Sequence, residues 1–123
     1  MTDKEILELY KAGEREKAFG EIVESYSERL YWHVRRFLCS HEDTDDLLQE
    51  IFIKIWSSLS SFRGDSSLYT WIYRIATNES LNFLQKQKMA EFLYIMEMDM
   101  LLPIPILYPK NLFHSRQLFN PQC

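Results

Sequence analysis

Apolar positions recur at helical spacing along most of the chain. The clearest run is Leu47, Leu48, Ile51, Phe52, Ile55, Trp56 and Leu59, an apolar face about half a helix wide. Asp43 or Thr44 is expected to cap this helix, and Asp45 and Asp46 suit the positive end of its dipole. The opposite face carries Asp46, Gln49, Glu50, Lys54 and Ser57. One apolar residue interrupts it: at about 100° per residue, Ile53 falls between Asp46, Gln49 and Glu50. A second helix is expected from Leu68, capped by Ser66 or Ser67, with Leu68, Ile72, Ile75, Ala76 and Phe83 facing the core. Beside that face runs a row at i, i+3, i+7 and i+14: Trp71, Arg74, Asn78 and Gln85. A Trp, a guanidinium and two amides in one row can stack on bases and hydrogen-bond to them. The joining loop, Phe62-Arg63-Gly64-Asp65-Ser66-Ser67, is short and polar, and Gly64 is free to take φ > 0.

Two helices are expected upstream. Residues 3–12 place Ile6, Leu7 and Tyr10 on one side, with Gly13 as the stop. A longer helix from about Glu14 to Cys39 carries Ala18, Phe19, Ile22, Val23, Tyr26, Leu30, Val34, Phe37 and Leu38. Tyr31 and Trp32 are assigned to packing between helices. No stretch before Lys88 reads as a strand. Residues 89–100 can extend the last helix, and Pro103, Pro105, Pro109 and Pro121 break any long element beyond it. The chain therefore reads as all-α: a compact bundle of about four helices in residues 1–88, then an irregular tail in 89–123.

Composition supports a folded domain. The chain has 123 residues, 46% hydrophobic and 15% aromatic, enough for one small core. No run is long enough to span a membrane, and the N-terminus lacks a signal pattern, so a cytoplasmic protein without membrane insertion is expected. Cys39 and Cys123 show neither metal spacing nor a disulfide framework and read as ordinary thiols. The net charge of −4 hides a change of sign along the chain. Residues 1–50 hold 13 acidic and 7 basic side chains; residues 51–88 hold 2 acidic and 5 basic. A net of +3 over the second segment suits weak contact with a nucleic-acid backbone, including Lys86 at its end.

No nucleophile–base pair or phosphate-binding glycine loop is visible, so neither catalysis nor a cofactor is expected. The cluster His41, Glu42, Asp43, Asp45 and Asp46 invites a metal-dependent hydrolase reading. Capping and dipole effects account for those carboxylates, and no second histidine has ligand spacing, so no metal site is assigned.

The run Asp45-Asp46-Leu47-Leu48-Gln49-Glu50-Ile51-Phe52-Ile53-Lys54-Ile55-Trp56, then Phe62-Arg63-Gly64-Asp65-Ser66, then Tyr69-Thr70-Trp71-Ile72-Tyr73-Arg74-Ile75-Ala76-Thr77-Asn78, resembles bacterial sigma-70 family factors of the extracytoplasmic-function (ECF) subgroup. The likeness covers roughly residues 5–88 and corresponds to their region 2. It implies an initiation factor that binds core RNA polymerase through the β′ clamp at Asp46, Gln49, Glu50 and Ile53. It also implies recognition of the promoter minus-ten element on the non-template strand. The loop residues Phe62, Arg63, Gly64, Asp65 and Ser66 would receive a flipped base, and Trp71, Arg74, Asn78, Gln85 and Lys86 would contact the melted strand. An anti-sigma factor is a further implied partner. Ile72 stands where primary sigma factors have a second Trp, as is usual for the subgroup, which implies weaker melting and stricter promoter choice. Nothing after Lys88 resembles the second helical domain of such factors, which reads the minus-thirty-five element. The alternative is a helical protein-interaction module that uses the acidic patch without touching DNA.

Overall fold

The computed structural model describes residues 1–101, with side chains through residue 98. Among these residues every regular element is helical: α1 (Asp3–Lys11), α2 (Arg15–Arg35), α3 (His41–Ser58), a 3-10 turn (Leu59–Ser61) and α4 (Leu68–Leu101). Helix α1 opens on a capping box. Thr2 accepts from the Glu5 backbone N–H while the Glu5 carboxylate accepts from Thr2. These hydrogen bonds, the one to the Thr2 backbone foremost, hold the Glu5 carboxyl below its usual range. The helix stops at Gly13, whose φ of 93° suits a residue without a Cβ. There Gly13 N donates to Tyr10 O and Glu14 N to Leu9 O, each at 3.1 Å, a Schellman closure.

Helix α2 ends at Arg35, short of the expected Cys39. Phe37 N and Leu38 N both donate to Val34 O, and the turn returns Leu38 to the core at 2% exposure. Helix α3 begins earlier than the sequence suggested. Its cap is Ser40, whose Oγ accepts from Asp43 N at 3.2 Å. Thr44 lies inside the helix, fully buried, and its hydroxyl donates to Ser40 O at 2.8 Å. That bond removes Thr44 as a cap and satisfies a buried hydroxyl without any tertiary partner. At the start of α4 the cap is Ser67, which accepts from Thr70 N at 3.1 Å.

The core repeats every fourth residue: Ala18, Ile22, Tyr26, Leu30 and Val34 on α2; Leu47, Ile51, Ile55 and Leu59 along α3 and its 3-10 turn; Leu68, Ile72 and Ala76 on α4, resuming at Leu84. Such i+4 ridges interdigitate when helices pack. Ser80 takes the vacant step on α4, buried, its hydroxyl donating to Ala76 O at 2.8 Å. Tyr26 ties the ridge to α1 by donating its hydroxyl to the Asp3 carboxylate at 2.9 Å. Burial and that carboxylate push the Tyr26 phenol well above its ordinary pKa.

Expectations for three side chains are corrected. Trp56 is 44% exposed, so it is no core residue, and Trp32, assigned to helix packing, is 59% exposed. Cys39 is disulfide-bonded and not an ordinary thiol. The expectation for Cys123 lies outside the described residues. Helix α4 continues past Lys88 to Leu101, and its side chains there, Met89, Phe92, Leu93, Tyr94 and Met96, are exposed. This is the extension that residues 89–100 allowed, and the remainder of the tail expected from residue 89 lies outside the described residues. No helix among the described residues is long and apolar enough to cross a membrane.

Candidate functional site

The hairpin of α3 and α4 presents the expected residues on two surfaces. On α3, Asp46, Gln49 and Glu50 are exposed, and Ile53, among them in the helical pattern, is 67% exposed. An apolar groove adjoins this patch. It is lined by Glu16, Phe19 and Val23 of α2 and Gln49, Phe52, Ile53 and Trp56 of α3. Phe19 holds it together, edge-on to Trp56 at 5.2 Å and to Phe52 at 6.4 Å between ring centroids. Phe52 and Trp56 were read as core because they border the apolar face of α3. Their position beside Gln49 and Ile53 was the signal that they edge a surface.

The second surface is formed by the loop and α4. Phe62 and Trp71 are half-buried, packed on the core and on each other at 5.3 Å. Arg63, Gly64 and Asp65 are exposed, Ser66 less so, and Gly64 takes a φ of 80°. A Cβ at Gly64 would meet no atom within 4 Å, so its demand for glycine comes from the backbone angle alone. Arg74, Asn78, Gln85 and Lys86 are exposed along α4. Trp71 thus anchors the row in the core while the polar members stay free for a partner.

An aromatic seam between α2 and α4 fixes the outward direction of that row. Tyr69 stacks on Tyr73 at 4.3 Å, Tyr73 meets the His33 ring at 4.8 Å, and Tyr26 lies against both tyrosines. His33 Nε2 lies 2.8 Å from Thr77 Oγ1. Burial, with help from the Arg36 guanidinium, lowers the His33 pKa below its ordinary value. Burial and the neighbouring Tyr69 raise the Tyr73 pKa. Lys54 Nζ pairs with the Glu79 carboxylate of α4 at 2.6 Å, so the Lys54 charge is partnered within the hairpin.

A cavity of about 390 Å³ opens beside the loop, lined by Leu7, Tyr10, Lys11, Arg15, Leu59, Ser60, Phe62, Arg63 and Gly64. The members from α1 and α2 were not anticipated, since nothing local links them to the loop. The acidic turn does not converge: among the described residues no group of three or more His, Cys, Asp and Glu is placed to hold a metal ion. His41 instead pairs with Asp45 at 3.2 Å, one helical turn on.

Residues 22–89 match the family model described as Sigma-70 region 2. The chain is 40% identical over 87 residues to the ECF RNA polymerase sigma-E factor of Haemophilus influenzae, covering 71% of this chain and 45% of that protein. It is 42% identical over 87 residues to the corresponding factor of Escherichia coli K12, covering 71% and 44%. The chain therefore spans a little under half the length of these curated relatives. A solved structure of an engineered region 2 of sigmaE in complex with GTAAAA superposes with a TM-score of 0.62 at 36% identity. That likeness covers 72% of this chain and 90% of the other.

Proposed function

Because the chain belongs to the Sigma-70 region 2 family, we propose that it acts in transcription initiation by joining core RNA polymerase to the minus-ten element of a promoter. The carrying observation is that one hairpin exposes two dissimilar surfaces. The α3 patch, with Ile53 at its centre, Asp46, Gln49 and Glu50 around it and the Phe19–Trp56 groove alongside, has the build of a protein interface: apolar centre, polar rim. It is the surface for the β′ clamp. The α4 row, Trp71, Arg74, Asn78, Gln85 and Lys86, together with the loop Phe62, Arg63, Gly64, Asp65 and Ser66, is the surface for the non-template strand. The relative bound to GTAAAA supports a single strand of this kind as the ligand.

The chain supplies no chemistry in this role; it positions DNA for the polymerase, in the cytoplasm. An anti-sigma factor would act by covering either surface. The alternative, a protein-interaction module using the acidic patch without DNA, is favoured only by the groove. A pull-down on core polymerase distinguishes the two. Ile53→Asp should weaken retention of the chain while leaving GTAAAA binding intact, and Asn78→Ala should weaken GTAAAA binding while leaving retention intact. Retention of a GTAAAA strand at the level of a shuffled one would support the alternative.

A further inference from the structure

Helix α4 outruns the bundle it belongs to. Its last buried side chain among those described is Leu84, yet the helix continues to Leu101. At about 1.5 Å per residue, that extension is roughly 25 Å long. Helices in proteins owe most of their stability to the packing of an apolar face. The extension has such a face, and it is open: Met89 is 56% exposed, Phe92 57%, Leu93 57% and Met96 46%. At about 100° per residue, these four side chains fall within a stripe roughly 100° wide. A narrow apolar stripe with charge beside it is the build of a helix-pairing seam.

The charges identify what pairs with it. Lys86 and Glu97 are both exposed and lie on the same edge of the stripe, about three turns apart. That separation is too long for them to meet within one helix, and neither is in an ion pair. A second copy of the chain laid antiparallel, about a two-fold axis near Phe92, brings Lys86 of each copy beside Glu97 of the other. The stripe then meets itself, as a two-fold interface requires. A parallel copy would instead set lysine beside lysine and glutamate beside glutamate.

We propose that residues 86–97 of α4 form an antiparallel seam through which two copies of this chain associate. Met89, Phe92, Leu93 and Met96 interleave along its centre, and two Lys86–Glu97 pairs close its edge. This goes beyond the proposed function and does not depend on it, since the seam lies past the core-packed part of the hairpin. Three turns of helix make a small interface, so the dimer is weak, with a Kd on the order of 10–100 µM. Well below that range the chain is a monomer, and there the seam contributes nothing to the melting of the bundle.

The test is sedimentation equilibrium of the full chain across that Kd, in a thiol reductant so that no dimer arises from disulfide exchange. The wild type should pass from monomer to dimer as concentration rises. Phe92→Asp/Leu93→Asp should weaken association at least about tenfold. Both side chains are exposed, so its melting curve at low concentration should match the wild type. Lys86→Glu and Glu97→Lys should each weaken association several-fold, and the two combined in one chain should restore it to within about twofold of the wild type. A wild type that stays monomeric throughout would overturn the seam. So would a dimer indifferent to Phe92→Asp/Leu93→Asp. Single charge reversals that weaken the dimer without rescue in the combined variant would overturn the antiparallel arrangement.

Discussion

His33 stands where α2 and α4 meet, and its chemistry couples folding to pH. Its ring is partly buried against Tyr73 and hydrogen-bonded to Thr77, and its pKa in the fold lies below the ordinary value of 6.5. A histidine depressed in this way is neutral in both states at high pH. As pH falls through about 6.5, the unfolded chain takes up a proton that the fold resists, so stability is lost on the acid side until the folded pKa is passed. Thermal melts at about pH 7.5 and pH 5.5 should show a larger drop for the wild type than for His33→Gln; equal drops would mean that the site contributes nothing to the pH dependence. Asn78 poses a different question, since it is exposed and bears no structural load. Asn78→Ala should cost about 1–3 kcal/mol on a GTAAAA strand and far less on a shuffled one. Lys86→Ala should weaken both strands alike and reduce the salt slope by about 0.7. Titrations with the two strands separate a base contact from a phosphate contact.

Two isoleucines show how far each element could be read in advance. Ile72 of α4 is fully buried, and Ile72→Ala should cost about 2–5 kcal/mol in urea denaturation. Ile53 of α3 is 67% exposed, so Ile53→Asp should leave stability within about 0.5 kcal/mol while weakening clamp binding. Gln49→Ala should weaken clamp binding in the same way; unchanged affinity in both α3 variants would exclude this face as the docking surface. The opposite fates of Ile72 and Ile53 were legible in the sequence, because one continues an apolar row and the other interrupts a polar one. The start of α3 was not legible. Ser40, Asp43 and Thr44 are all good caps, and the choice followed from Thr44 turning its hydroxyl back to the Ser40 carbonyl inside the core. Periodicity also located the centre of the apolar face of α3 but not its edge. Trp56 lies at that edge, where Phe19 of α2 covers one side and leaves the rest open. The loop pocket was half legible: Phe62, Arg63 and Gly64 stand in one short run, whereas Tyr10, Lys11 and Arg15 join them only through the packing of α1 and α2.

Across the whole molecule, charge and packing are both divided along the chain. Residues 1–50 are acidic, and the net of +3 over residues 51–88 covers the loop and the first part of α4. With so few favourable charges, binding of this chain to duplex promoter DNA should be weak, with a shallow salt slope set by the few contacts it makes. The last buried side chain among those described is Leu84, and residues 89–98 are largely exposed. With the Cys39 disulfide reduced in both, a chain ending at Lys88 should therefore melt within about 0.5 kcal/mol of the full one; a larger loss would show that the later residues support the bundle. The central claim is that one hairpin joins polymerase to a single DNA strand through separate faces. It is tested most directly by immobilising core polymerase and measuring capture of a labelled GTAAAA strand with and without the chain. The account predicts capture that requires the chain, fails with a shuffled strand, and is lost in both Ile53→Asp and Asn78→Ala. Capture that is independent of sequence, or unaffected by either substitution, would contradict it.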